Sequence, residues 1–174
     1  YLASLQSDGI VTALFNSSGE SKGACYGRNR AIAIAQGEYI TGLDDDDYFE
    51  PWRIESFINK WNEYTDDKKV FSALFDSVVE HRKSGPVACY DTKVATYQNL
   101  RKGNVVGNQV FTKTSYLKAV GGFDEQMPAL QDWDTWLRLS NHYGDILNVN
   151  TRSYIQIQNH EGERITGKPA DKIR

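Results

Sequence analysis

Four carboxylates stand side by side at Asp44-Asp45-Asp46-Asp47, directly after the short run Tyr39-Ile40-Thr41-Gly42-Leu43. No other stretch restricts the fold as much. Four adjacent Asp side chains repel one another at neutral pH, so they need a cation, a shared proton or full solvation. Gly37 reads as a helix stop and residues 39–43 as a strand, which places the carboxylates at the strand's C-terminal end. Two readings stay open. In one, the carboxylates hold a hard divalent ion, manganese or magnesium, together with substrate phosphates. In the other, the run is a solvated turn that caps a helix opened by Pro51. Position favours the ion, because open α/β sheets bind ligands beyond the carboxyl ends of their strands.

Composition narrows the class without naming a function. At 174 residues, 40% hydrophobic and 25% charged, the chain can bury one domain-sized core. A formal net charge of -3 gives no argument for a nucleic-acid partner or an acidic membrane surface. No apolar run reaches the length of a membrane span, and no signal peptide is visible. Cys25 and Cys89 form neither a disulfide framework nor a metal spacing; they read as buried thiols, which fits a reducing compartment.

Along the chain, residues 10–15 form an apolar run of the kind buried in parallel sheets. A helix is predicted over 22–36, and the strand at 39–43 completes a βαβ unit whose two strands would run parallel. Arg28 and Arg30 lie in that helix, either solvated or reaching a diphosphate near the helix N-terminus. A second helix over 51–64 carries Ile54, Phe57, Ile58 and Trp61 at core spacing. Strands are predicted at 70–79 and 86–90, with a hairpin at Lys83-Ser84-Gly85, and a mobile loop at 94–102. A strand at 105–111 has Asn108 and Gln109 in its middle, facing a substrate or an edge. A short helix at 115–120 ends at Gly121-Gly122, and a longer one covers 131–143. Asp132 and Asp134 open that helix. They either cap it, with Asp134 paired to Arg138, or Asp132 is a partly desolvated general base beside Trp133 and Trp136. Strands at 146–149 and 154–158 follow, the second burying Ile155 and Ile157 on one face. His160 then reads as structural or as a third metal ligand.

Taken in order, four stretches resemble family 2 glycosyltransferases of the GT-A fold, of the bacterial surface-polysaccharide type. They are Gly23-Ala24-Cys25-Tyr26-Gly27-Arg28-Asn29, the run from Gly37 to Pro51, Val120-Gly121-Gly122-Phe123-Asp124, and the run from Gln131 to Arg138. No one of them is decisive, but the ordered set is specific. The Asp run is similar to the family's Asp-x-Asp motif. By that resemblance Asp46 binds the metal. Asp44 or Asp45 contacts the ribose of a nucleotide sugar. The family's Glu-Asp pair becomes Gln131-Asp132, which keeps the base position at Asp132 and leaves Asp134 as the alternate. The resemblance implies an α/β mixed sheet flanked by helices and lacking the family's first strands upstream of Tyr1. It implies one domain over 1–174, with 1–64 as the rest of the nucleotide-sugar half and 65–174 as the acceptor half.

The implied reaction is inverting, metal-dependent transfer from a nucleotide-diphosphate sugar to a glycan or lipid-linked acceptor. The implied place is the cytoplasm, or the inner face of the membrane through peripheral association of the full-length protein. Two rivals stay open: a metal-dependent nucleotidyltransferase using the same carboxylates, and a non-catalytic glycan- or partner-binding module with the Asp run as a cap.

Overall fold

The structure is a computed structural model that describes residues 11–15, 22–82 and 84–157. Two mixed sheets carry the chain. The larger has the order β1-β7-β3-β8-β6, and the smaller β2-β9-β4-β5. Their strands are β1 (Tyr39–Thr41), β2 (Tyr48–Phe49), β3 (Phe71–Phe75), β4 (Val78–Arg82), β5 (Gly85–Cys89), β6 (Val94–Ala95), β7 (Phe111–Lys113), β8 (Asp145–Asn148) and β9 (Tyr154–Ile157). The helices are α1 (Gly23–Ile34), α2 (Arg53–Asp66), α3 (Tyr97–Leu100), α4 (Thr114–Ala119) and α5 (Gln131–Tyr143). Among the described residues only β3–β8 and β4–β9 pair in parallel; the other ladders are antiparallel. No described helix is long and apolar enough to cross a membrane.

Helices cover both faces of the larger sheet. On one face Leu100, Leu117, Phe123, Trp136 and Leu139 pack with Phe75 and Ile146. On the other, Phe57 and Trp61 of α2 pack with Phe71, Leu74 and Phe111. A register shift between Phe71 and Ala73 lets Phe71 and Leu74 share that second face. Both layers therefore use β3, which is buried along its whole length.

The structure corrects several expectations. Residues 11–15 lie in no strand, and residue 10 is outside the described residues. A strand exists through its ladder, and β1 has its ladder with β7, antiparallel, so no parallel βαβ unit forms here. The 70–79 run breaks at Asp76-Ser77 into β3 and β4, which belong to different sheets. Residues 94–102 are ordered: Thr96 caps α3 by accepting from Asn99 N at 3.1 Å, and Leu100 is fully buried. Residues 105–110 do not join a ladder, because Asn104 Oδ1 takes the N–H groups of Val106 and Gly107 at 3.1 and 3.0 Å. On α2 the buried stripe is Arg53, Phe57 and Trp61, while Ile54 and Ile58 are exposed. In β9, Tyr154 and Ile155 are both buried, because the strand lies between β2 and β4.

The cause of several of these departures is Asp76. Its carboxylate, 2% exposed, accepts from Arg53 Nη1 at 3.3 Å. It also accepts from the backbone N–H of Thr151, Arg152 and Ser153 at 2.8, 2.9 and 2.6 Å, and from the Thr151 and Ser153 hydroxyls at 2.8 and 2.6 Å. A buried carboxylate needs such a set of donors, and these sit where the chain turns from β8 to β9. The 70–79 run therefore bends where its side chain can reach them. Arg53 is enclosed by the rings of Phe49, Phe57 and Tyr154, its guanidinium carbon 4.5, 4.3 and 5.4 Å from their centroids. Burial draws its pKa down to about 10, opposed by the Asp76 charge, so it stays charged at neutral pH. Removing one partner of such a pair leaves a buried charge unpaired. Asp76→Ala is expected to lower urea unfolding stability by about 3–5 kcal/mol, whereas a loss under about 1 kcal/mol would mean the pair holds little together.

Candidate active site

After β1 the chain turns through the four Asp residues, closed by Asp47 N donating to Asp44 O at 3.1 Å. Two carboxylates are tied inward. Asp44 accepts from Arg28 Nη2 at 2.9 Å, Asn108 Nδ2 at 2.9 Å and Gln109 Nε2 at 3.2 Å. Asp47 accepts from the Tyr154 hydroxyl at 2.7 Å and Ile157 N at 3.1 Å. Asp45 and Asp46 are exposed. Gly42 makes room for this arrangement: a Cβ there would meet Gln109 Oε1 at 2.0 Å. Burial pushes the Asp47 carboxyl above the usual carboxylate range, against the pull of its Tyr154 and Ile157 bonds. Burial, then the bond to Asp47, pushes the Tyr154 phenol far above its usual range, so it remains a donor.

The cap reading of the Asp run does not hold. Strand β2 separates the turn from α2, whose cap residue is Trp52 and carries no side-chain cap bond. The turn instead faces the other half of the chain.

Asp132 lies in the first turn of α5, half-buried. The cap residue is Leu130, left-handed at φ 63, with no side-chain cap bond. Asn104 Nδ2 donates to Asp132 Oδ2 at 3.3 Å and to Gly107 O at 3.0 Å. Trp136 Nε1 donates to the same Gly107 carbonyl at 2.9 Å. Burial pushes the Asp132 carboxyl above its usual range. The Trp133 and Asp132 N–H groups and the Arg28 charge oppose that rise, and the Asp44 charge adds to it. Asp132, Arg28 and Asp44 thus feel one another across one site. The 104–109 loop bridges them, with Asn104 on Asp132 and Asn108 and Gln109 on Asp44. Beside them lies a mostly apolar cavity of about 210 Å³, walled by Arg28, Gln109, Phe123 and Trp136. Thr41 also lines it, and its buried Oγ1 has no hydrogen-bond partner among the described residues.

The structure therefore brings Arg28, Asp44 and Asp132 together, with Asp45 and Asp46 on the exposed side of the turn. Asp134 is engaged elsewhere: Arg138 donates to it from Nε at 2.9 Å and Nη2 at 2.6 Å. Arg138 also reaches the carbonyls of Val120 and Gly122, so this pair holds the α4–α5 connection. Arg30 donates to Phe15 O at 3.1 Å, away from the carboxylates. His160 lies outside the described residues. Asn104 and Tyr154 were not singled out by sequence. An Asn three residues before Gly107 is a turn signal that would have found the first. A polar hydroxyl within an apolar strand is the only hint of the second.

A hard divalent ion takes one or two protein carboxylates and completes its shell with phosphate oxygens and water. Exposed carboxylates on one turn fit that need. Among the described residues no three His, Cys, Asp or Glu side chains gather into a metal cage. The fit is therefore to an ion shared with a ligand.

The raised pKa of Asp132 has a thermodynamic consequence. An acid whose folded pKa lies above its unfolded value loses stability as pH rises between the two. Asp132→Asn is therefore expected to raise the thermal midpoint at pH 7, and the gain should vanish below the unfolded carboxylate pKa of about 3.9. Equal midpoints at pH 7 would show that the carboxyl is not held at a cost.

Comparison with known proteins agrees with this architecture. The model of glycosyl transferase family 2 matches residues 4–117. WcaA of Escherichia coli K12, named as a colanic acid biosynthesis glycosyl transferase, is 33% identical over 150 residues, which is 86% of this chain and 53% of that protein. The uncharacterized glycosyltransferase MJ1057 of Methanocaldococcus jannaschii is 28% identical over 145 residues, covering 79% and 48%. The chain thus spans about half the length of these two relatives. Among solved structures, S. aureus TarS 1–349 in complex with UDP-GlcNAc superposes with a TM-score of 0.62 at 19% identity, over 87% of this chain and 43% of that one. That likeness supports the GT-A fold, with mixed sheets flanked by helices, and the match of the family model over more than half of the chain decides the family: the chain belongs to glycosyl transferase family 2.

Proposed function

We propose that this chain carries the diphosphate-side and acceptor-side catalytic groups of an inverting glycosyltransferase. It moves a sugar from a nucleoside diphosphate sugar to a hydroxyl of a glycan or lipid-linked acceptor in surface polysaccharide assembly. One observation carries the reading. Asp44, after β1, and Asp132, at the start of α5, are joined by one loop beside one cavity. The UDP-GlcNAc held by S. aureus TarS and the colanic acid role in the E. coli relative's name support the substrate class.

Each residue has a part. Asp44, already paired with Arg28 and two amides, is a fixed acceptor for ribose hydroxyls, with Asp45 beside it. Arg28 places a positive charge near the diphosphate. Asp46 would hold manganese or magnesium, which neutralises the leaving diphosphate as a Lewis acid. Asp132 takes the proton from the acceptor hydroxyl as its oxygen bonds to the anomeric carbon. The bond from that carbon to the diphosphate oxygen breaks, and the electron pair leaves with the diphosphate. Burial helps here, because a carboxylate with a raised pKa is a stronger base. Holding donor and acceptor in line supplies further rate through orientation.

The test has two arms. Thermal shift of this chain with UDP, GDP, CDP and dTDP, with and without manganese, is expected to show a metal-dependent rise with one nucleotide. At 100-fold excess over Kd the gain approaches about 2.7 kcal/mol, and Asp46→Asn should abolish it. In the full-length protein, Asp132→Asn is expected to lower kcat by about 10²–10⁴ while releasing the same nucleoside diphosphate. Undiminished turnover would remove Asp132 from the base role. Release of pyrophosphate would identify a nucleotidyltransferase instead. Glycan binding indifferent to metal and to Asp46→Asn would point to a non-catalytic module.

A further inference from the structure

The Asp turn does not hold its own shape. One backbone bond closes it, from Asp47 N to Asp44 O at 3.1 Å, and four adjacent carboxylates push it open. Asp44 is held by Arg28, Asn108 and Gln109, whereas the hold on Asp47 comes from β9, more than 100 residues later. The Tyr154 hydroxyl donates to Asp47 Oδ2 at 2.7 Å. It accepts from Asn108 Nδ2 at 3.2 Å and lies 3.5 Å from Asp44 N. One oxygen therefore touches both ends of the Asp run and the loop that reaches Asp132. Ile157 N adds a bond to Asp47 Oδ1 at 3.1 Å. Pairing of Tyr48 with Ile155 and Phe49 with Tyr154 fixes the register of this contact.

Tyr154 is itself fixed from behind. It follows directly on residues 151–153, whose three backbone N–H groups all go to Asp76. Its ring meets Phe49 edge to face at 65°, centroids 5.5 Å apart, and lies beneath the Arg53 guanidinium. The phenol is 1% exposed, so it has no freedom to swing away. We propose that Tyr154 is the positioning residue of the donor site: its hydroxyl clamps the Asp44–Asp47 turn shut, so that Asp45 and Asp46 stay on the exposed side where a metal-bound diphosphate would sit. This rests on the donor-site reading above.

Tyr154→Phe keeps the ring and removes only the hydroxyl. Hydrogen exchange is expected to speed up at the Asp47 and Ile157 amides by about tenfold or more, with the β3–β8 amides unchanged. The same variant should lose about tenfold of the manganese enhancement of nucleotide affinity, the ratio of Kd without and with the ion, for whichever of UDP, GDP, CDP and dTDP responds. Trp61→Phe, in the α2 core, is the control for stability alone: it lowers the thermal midpoint and leaves that ratio as it was. Unchanged exchange at Asp47 and Ile157 overturns the clamp. A loosened turn with undiminished manganese enhancement also overturns it. If the unmodified chain shows no enhancement with any of the four, the donor-site reading falls, and the exchange result alone decides the clamp.

Discussion

A carboxylate with six donors around it, Asp76, is the contact on which the architecture depends. It sits where the chain leaves the larger sheet for the smaller one, and it gathers the β8–β9 connection at the same point. Because Arg53 completes the set, the start of α2 is fixed to the same centre. A buried ion pair of this kind is weak as a source of net stability, since desolvation offsets its attraction. Its value lies in selecting one arrangement: an apolar substitute would pack but would not demand that these three segments meet.

From that centre order passes outward to the site. The 151–153 backbone is pinned, Tyr154 follows it, and Tyr154 reaches the Asp turn. On the other side, Asn104 organises the loop that meets Asp132. The site is thus assembled from segments distant in sequence, each held by polar contacts rather than by the cores. The two apolar cores supply a rigid platform of close-packed side chains.

Much of this was legible beforehand. Helix α5 was expected over 131–143 with Asp132 and Asp134 at its start, and the fold has it at Gln131–Tyr143. The hairpin at 82–85, the Gly121-Gly122 stop and the strand ahead of the Asp run were visible from local chemistry. Of the site, the family resemblance singled out Asp44 and Asp132, and helix position singled out Arg28; the fold brings the three together. Long-range polar contacts were not legible. Nothing in the run 70–79 announces that Asp76 will find its donors at 151–153. Nothing on α2 announces that Arg53 is buried and Ile54 is not, because the answer depends on a partner far along the chain. Asn104 rewrote an apparent strand by taking its backbone N–H groups, a local competition that hydropathy cannot register.

The 104–109 loop touches both carboxylates, and this gives the site a form of communication. A ligand that draws Asn108 or Gln109 toward Asp44 moves the segment on which Asn104 holds Asp132. Coupling of this kind is reciprocal: whatever the first substrate does to the affinity for the second, the second does to the first by the same factor. The charges reinforce it, since Asp44 raises the proton affinity of Asp132. Neutralising Asp44 would remove that contribution. Six residues thus tie the carboxylate after β1 to the one that opens α5.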